Sequence, residues 1–397
     1  MLLQKQTLRK EVLDELTQNI LPFWINKMKD EEQGGFYGQI TGDNRLVKQA
    51  TKGGILNARI LWTFSSAALH LHSSEYLKVA QYAKEYIFQH FFDDKFGGTY
   101  WSLNADGTPS DKKKQIYSQA FFIYALVEYY RASGEEVALE KAKELFRLIE
   151  KYSFDNQKNG YLEAYSREWN LLEDLRLSEK DANEKKTMNT HLHVLEAYTN
   201  LYRVWKDESL KIQLKNLIEI FLEKMINKET HHLDLFFDED WNCKSRIYSY
   251  GHDIEASWLL DEAAVVLGDT EILERVRHII LCVADASAEG LREDGRMLNE
   301  KDIAARHLDD NSDWWPQAES IVGFFNAYQL TLKEDYLTKA INNWEFVKKN
   351  IVDRENGEWF WAVSANGDKD RVNDKAGFWK CPYHNGRMCL ELIDRIK

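Results

Sequence analysis

The chain has 397 residues, of which 44% are hydrophobic and 29% charged, so a large core is within reach and disorder is not expected. A formal net charge of -13 argues against nucleic acid or an anionic membrane surface as the main partner. No stretch approaches the run of about 18 uncharged apolar residues that a membrane span needs. The opening residues Met1-Leu2-Leu3-Gln4-Lys5 lack the basic-then-apolar order of a signal peptide.

The first helical pattern runs from about Thr7 to Met28, with Val12, Leu13, Leu16, Ile20, Phe23 and Trp24 at helical spacing. It ends in a turn-rich stretch, Gly34-Gly35-Phe36-Tyr37-Gly38. Helices are expected near 54–72 and 75–91, followed by the similar break Phe96-Gly97-Gly98-Thr99-Tyr100-Trp101. Helices near 115–132 and 135–151 lead to Asn159-Gly160-Tyr161, and further echoes fall at 233–237, 289–292 and 355–359. From Gly35 to Gly98 is 63 residues, and from Gly98 to Gly160 is 62. The later echoes are spaced 74, 56 and 67 apart, counted through Asp234, Gly290 and Gly357.

Six such breaks, each separated from the next by two helix-length apolar segments, describe six helical hairpins. A repeat that cannot bury its apolar face alone must stack on its neighbours. Neither end carries a polar capping repeat, so a closed ring is expected: an all-α (α/α)6 toroid of about twelve helices, forming one domain over 1–397. Its inner helices would line a central funnel, a natural concave site. The charged stretch 161–186 is either a solvated loop or a lid over that funnel.

Cys243, Cys282, Cys381 and Cys389 form no CxxC, and their spacing fits neither zinc nor a disulfide framework. Reduced thiols in a cytoplasm are the simplest reading. His191 and His193 are not spaced as a helix-face metal pair, and His231-His232 lacks a third ligand, so no metal is expected.

Chemistry concentrates on the inner-helix starts. In Tyr250-Gly251-His252-Asp253-Ile254-Glu255, His252 and Glu255 share a helix face, with Ser249 where an N-cap belongs. Asn189, His193 and Glu196 form a second such face. Arg59 sits inside an apolar run and needs a buried partner or a wet cavity. Tyr117 shares a face with Phe121 and Tyr124, a pattern that core packing explains as well as ligand contact. Trp315 and Glu319 lie one turn apart, a common way to hold a sugar ring. In Phe378-Trp379-Lys380-Cys381-Pro382-Tyr383-His384-Asn385-Gly386-Arg387, His384 opens a closing helix, whose N-terminal dipole disfavours imidazolium.

The stretches GHDIEASWL, FWKCPYHNGRMC, TMNTHLHVLEAYT, ARILW and WWPQAES, with the GGFYG and FGGTYW turns, resemble the cellobiose 2-epimerases of the N-acylglucosamine 2-epimerase superfamily over nearly the whole chain. The resemblance implies an (α/α)6 barrel without a required cofactor, inverting C2 of the reducing-end sugar of a β-1,4-linked disaccharide. It assigns acid/base roles to His252 and His384, with His193, Arg59 and Glu255 beside them. Tyr117, Asn189, Trp315, Glu319 and Trp379 become substrate contacts.

Glu255 is then expected to orient His252, and Arg59 to stabilise an enediolate. A monomer or weak homo-oligomer with no nucleic-acid or membrane partner is expected. An N-acylglucosamine epimerase or aldose–ketose isomerase on the same scaffold remains open at this point. An (α/α)6 glycoside hydrolase and a non-enzymatic sugar-binding scaffold also stay open.

Overall fold

The computed structural model describes residues 2–397. Thirteen α segments follow one another: α1 (Leu2–Glu15), α2 (Leu21–Lys27), α3 (Gly54–His70), α4 (Ser74–His90), α5 (Ile116–Ser133), α6 (Glu136–Tyr152), α7 (Met188–Val204), α8 (Glu208–Ile220), α9 (Tyr250–Leu267), α10 (Thr270–Ser287), α11 (Trp314–Thr331), α12 (Glu334–Phe346) and α13 (Tyr383–Arg395). A π-helical turn, Leu16–Ile20, joins α1 to α2, so the two make one rod and the helix count is the expected twelve. No helix among the described residues is long and apolar enough to cross a membrane.

The helices divide by how they are buried. In α3 every residue from Gly54 to Ala68 is buried, whereas α4 buries only Ala80, Ala83, Tyr86 and Ile87. Apolar character all round marks a helix enclosed on every side, and a single apolar stripe marks one lying on a surface. Accordingly α3, α5, α7, α9, α11 and α13 pack in that order into an inner ring, which closes where α13 meets α3. The outer helices α4, α6, α8, α10 and α12 back the inner helix that precedes each of them. The sixth inner–outer pair is α13 with α1, so the two ends of the chain close the ring.

Local signals set the boundaries. The side chains of Ser73, Thr187, Asp207 and Asp269 cap α4, α7, α8 and α10 by accepting backbone N–H bonds. Gly134 and Gly268 end α5 and α9 in the left-handed conformation, with φ of 75° and 76°.

The connections into the inner helices carry short antiparallel ladders. β1 (Lys52–Gly53) pairs with β2 (Ser102–Leu103), and β3 (Lys114–Gln115) with β4 (Ala164–Tyr165). β5 (Lys186–Thr187) pairs with β6 (Phe236–Phe237). β7 (Ile247–Ser249), β8 (Glu300–Asp302) and β9 (His307–Asp309) form a three-stranded sheet. β10 (Ser312–Asp313) pairs with β11 (Ala362–Val363), and the bridge Ile40–Ala376 completes the circuit. These ladders place all six inner-helix N-termini at one end of the ring.

The breaks that gave the repeat away are seven-residue turns. The first residue's N–H bonds to the sixth residue's carbonyl in Asp30–Gly35, Asp93–Gly98, Asp155–Gly160, Asn227–His232 and Asp353–Glu358. The fourth turn is therefore 227–233 and the fifth is a shorter 292–297, each a few residues from the echoes read at 233–237 and 289–292. Their glycines are replaced or shifted, which hid them.

In three turns the leading aspartate also binds the buried lysine two residues before the next inner helix: Lys52–Asp30 at 2.7 Å, Lys114–Asp93 at 2.9 Å and Lys186–Asp155 at 3.0 Å; Asp353 binds the buried Lys375, further ahead of α13. Asp93 additionally receives two bonds from Arg167. Asp93→Ala strips Lys114 of its anion inside the protein, and removing one partner of a buried pair costs about 3–5 kcal/mol. Urea denaturation should show that loss, and the double variant with Lys114→Met should recover most of it.

Candidate active site

A common register unites the site. Counting from Gly54, Ile116, Met188, Tyr250, Trp314 and Pro382, the residue one further on is Tyr117 on α5, Asn189 on α7, Gly251 on α9, Trp315 on α11 and Tyr383 on α13. Two further on, α9 carries His252 and α13 carries His384. Five further on stands the ring Arg59, Phe121, His193, Glu255, Glu319 and Arg387. Each layer is one face of the inner ring, because residues three and four apart share a side of a helix.

These layers enclose a cavity of about 600 Å³, lined by Arg59, Tyr117, Asn189, His193, His252, Glu255, Trp315, Trp379 and His384. Leu177 to Asp181, from the 161–186 stretch, lie at the same cavity together with Val372 to Asp374. Gly251 allows the tight packing of the wall, since a Cβ there would come within 2.6 Å of the Trp315 ring.

Each histidine is held through Nδ1. That of His384 lies 2.7 Å from Glu319 Oε1, that of His193 2.9 Å from Glu196 Oε2, and that of His252 2.8 Å from Ser249 Oγ. A carboxylate accepts only, so His384 and His193 present Nδ1–H to it and leave Nε2 unprotonated when neutral. Burial lowers His252 to about 3, and it also depresses His193 and His384, with Arg59 and Arg387 acting in the same direction. All three rings are therefore neutral near pH 7 and able to accept a proton. Trp315 lies 4.6 Å from the His252 ring and 5.7 Å from that of His384, so both imidazoles border one aromatic surface.

Arg59 is buried beneath this surface of rings. Its Nη2 donates to Tyr117 Oη at 2.9 Å, and its guanidinium stacks over Phe121 at 4.2 Å and Tyr383 at 4.6 Å. Among the described residues no carboxylate pairs with it. The alternative of a buried ion pair thus gives way to a fixed cation at the cavity, held by aromatic faces.

Two sequence expectations are corrected. Glu255 does not orient His252: its Oε1 accepts from Arg387 Nη2 at 2.6 Å and lies 4.0 Å from His384 Nδ1. Ser249 takes over that role, using its hydroxyl on the ring of His252 instead of capping the helix. Glu319, expected to touch the sugar, is instead buried and not among the side chains lining the cavity; it is bonded to His384, to Arg387 at 2.7 Å and to Trp258 Nε1 at 3.1 Å.

Arg387 went unnoticed in the sequence, although it sits in the quoted FWKCPYHNGRMC stretch. Its guanidinium bonds to Glu196, Glu255, Glu319 and the Tyr383 hydroxyl at once. Burial alone would raise Glu196, but Arg387, His193 and Tyr383 hold it down at about 2. Burial and the neighbouring Glu319 push Glu255 up to about 8. Glu196 is therefore ionised near neutrality, while Glu255 and Glu319, both raised by burial, share the same arginine. Glu255, Glu319 and His384 bring donor atoms within 4.8 Å of one another, and Arg387 is bonded to both carboxylates of that group. The signal that could have found Arg387 is its register, level with Arg59 and His193.

A family model described as N-acylglucosamine 2-epimerase matches residues 35–385. The chain belongs to that family. A cellobiose 2-epimerase of Bacteroides fragilis is 54% identical over 388 residues, covering 98% of this chain and 99% of the relative. One from Ruminococcus albus is 43% identical, covering 97% and 98%.

The solved structure of a cellobiose 2-epimerase from Bacillus thermoamylovorans superposes with a TM-score of 0.95 at 43% identity, covering 98% of this chain and all of that one. A D-mannose isomerase shares the fold, with a TM-score of 0.83 at 21% identity. The (α/α)6 architecture expected from the turn spacing is thus that of its family.

The depressed His252 has a direct readout. Histidine-selective ¹⁵N NMR from pH 8 down to pH 5 should find this imidazole neutral throughout. An imidazolium signal from His252 at pH 6 would contradict the assignment, and its loss in His252→Asn fixes which resonance it is.

Proposed function

We propose that the chain inverts C2 of the reducing-end glucose of β-1,4-linked disaccharides, turning cellobiose into glucosyl-mannose and lactose into epilactose. One observation carries this reading. Two neutral imidazoles, His252 and His384, border the same tryptophan in a cavity that also holds an arginine without a carboxylate partner. The 54% identical Bacteroides fragilis relative supports the choice of disaccharide.

The C2 proton of an aldose is acidic only next to the open-chain C1 aldehyde. One base removes it to give an enediolate, and a proton returns to the opposite face. Two bases on two helices do this without moving the sugar, and positioned proton transfer of this kind is worth about 10²–10⁴-fold. Arg59 offers a permanent cation to the enediolate oxygen, in a site dry enough for that charge to count.

Behind His384 stands the Glu319 carboxyl and beside His252 only the Ser249 hydroxyl, so the two rings are held at Nδ1 by chemically different partners. His193, backed by Glu196, and the unpartnered Asn189 Oδ1 are placed to bond sugar hydroxyls. Trp315 and Trp379 offer faces on which the sugar units stack. The 177–181 segment at the cavity mouth serves as a lid in this scheme.

No step needs a cofactor. The four free cysteines suit a cytoplasmic setting, and a monomer or weak homo-oligomer without nucleic-acid or membrane partners fits the charge and the self-contained site. A hydrolase would use two carboxylates flanking a glycosidic bond. Here Glu255 and Glu319 are both bound to Arg387.

Incubation with cellobiose in D2O should yield glucosyl-mannose carrying deuterium at C2 by NMR. His252→Asn and His384→Asn should each abolish net epimerisation while circular dichroism stays unchanged. Unlabelled epimer, a ketose as the main product, or free glucose would overturn the reading.

A further inference from the structure

The seven-residue turns divide by their sixth residue. Their sixth residue is Gly35, Gly98 or Gly160 in the first three, each at positive φ. In the turns before α9 and α13 it is His232 and Glu358. Glu358 keeps the left-handed backbone of its glycine counterparts, with φ of 63°, a conformation in which a Cβ crowds the following carbonyl oxygen. Strain of this kind persists where the side chain has work that outweighs it.

Both side chains are buried and make parallel contacts. His232 Nδ1 lies 2.7 Å from Asp253 Oδ2, and its ring lies flat against Tyr248 at 3.8 Å. Asp253 directly follows His252, and Tyr248 directly precedes Ser249, which holds the His252 ring. Glu358 Oε1 accepts from Lys380 Nζ at 2.9 Å and Asn385 Nδ2 at 2.6 Å, and its Oε2 accepts from Trp24 at 2.7 Å. Asn385 directly follows His384.

Tyr248 and Lys380 hold the same register, as do Asp253 and Asn385, so each turn residue touches its helix start on both sides of the histidine. In the neighbouring repeats, Gln119, His191 and Gln317 occupy the register of Asp253. They bond to the turn's backbone, not to a side chain at its sixth position.

We propose that His232 and Glu358 are positioning residues, one for each base, clamping the first turn of α9 and of α13 so that His252 and His384 meet C2 from fixed directions. The proposal rests on reading those two histidines as the acid/base pair.

Exchange at C2 reads each base separately, because a base facing one epimer can trade that epimer's proton for deuterium without inverting it. The wild-type protein should exchange both cellobiose and glucosyl-mannose. His252→Asn should retain exchange on one of them and His384→Asn on the other. His232→Asn should slow exchange about 10-fold to 10²-fold on the epimer served by His252, leaving the other unchanged, as a displacement of about 1 Å would. Glu358→Gln, combined with Lys380→Met so that no buried ammonium is left unpaired, should do the same for the epimer served by His384.

Should either protein fail to fold, Asp253→Asn and Asn385→Ser alter the far end of each contact and carry the same expectation. Equal slowing on both epimers, or none on either, with wild-type exchange intact, removes the clamps alone. A wild-type protein that exchanges neither epimer removes the two-base reading and the clamps with it.

Discussion

Arg387 is bonded to three carboxylates that come from three different helices, Glu196 on α7, Glu255 on α9 and Glu319 on α11, and it stands itself on α13. Four of the six inner helices therefore meet at one buried guanidinium. Burying ions costs several kcal/mol each unless geometry and hydrogen bonds compensate, so such a cluster persists only where the ring around it is closed and dry. Burial raises both Glu255 and Glu319, which favours a proton between them and lets three acids share one base. Through Glu196 and Glu319 the same cation is tied to His193 and His384, so the charge at the centre of the ring also holds the imidazoles that line the cavity.

The repeat makes the site intelligible as a departure from sixfold equivalence. At one level the helices present Arg59, Phe121, His193, Glu255, Glu319 and Arg387. Two cations, two acids, a histidine and a phenyl ring occupy positions that the backbone treats alike. The asymmetry of the cavity is written onto a nearly symmetric scaffold by side chains alone. The lysine–aspartate pairs repeat in three of the connecting turns, tying each to the start of α3, α5 or α7.

Much of this was legible in the sequence. Turn spacing of 63 and 62 residues gave the repeat, and apolar runs without a polar face gave the inner helices. His252, His384, His193 and Arg59 stood out because titratable or charged groups interrupt those runs. Pairings between helices were not legible. Local spacing made Glu255 the partner of His252, but side-chain direction and ring curvature send it to Arg387, 132 residues away. Glu319 was misread for the same reason, its partner His384 being 65 residues distant. Arg387 was missed because an arginine in a short closing helix looks like a surface residue until the six helix starts are aligned.

The ring also has a seam. Where α1 packs on α13, Arg9 Nε donates to the carbonyl of Ile393, a partner 384 residues later in the chain. A ribosome extends the chain from one end, so α1 must wait through the making of all the other helices before its apolar stripe is covered. His384 and Arg387 arrive on the same late helix. Until it docks, the three carboxylates have no cation, and the nascent chain has neither a closed core nor a complete site. The contact that closes the ring is thus also the one that brings His384 and Arg387 to the cavity.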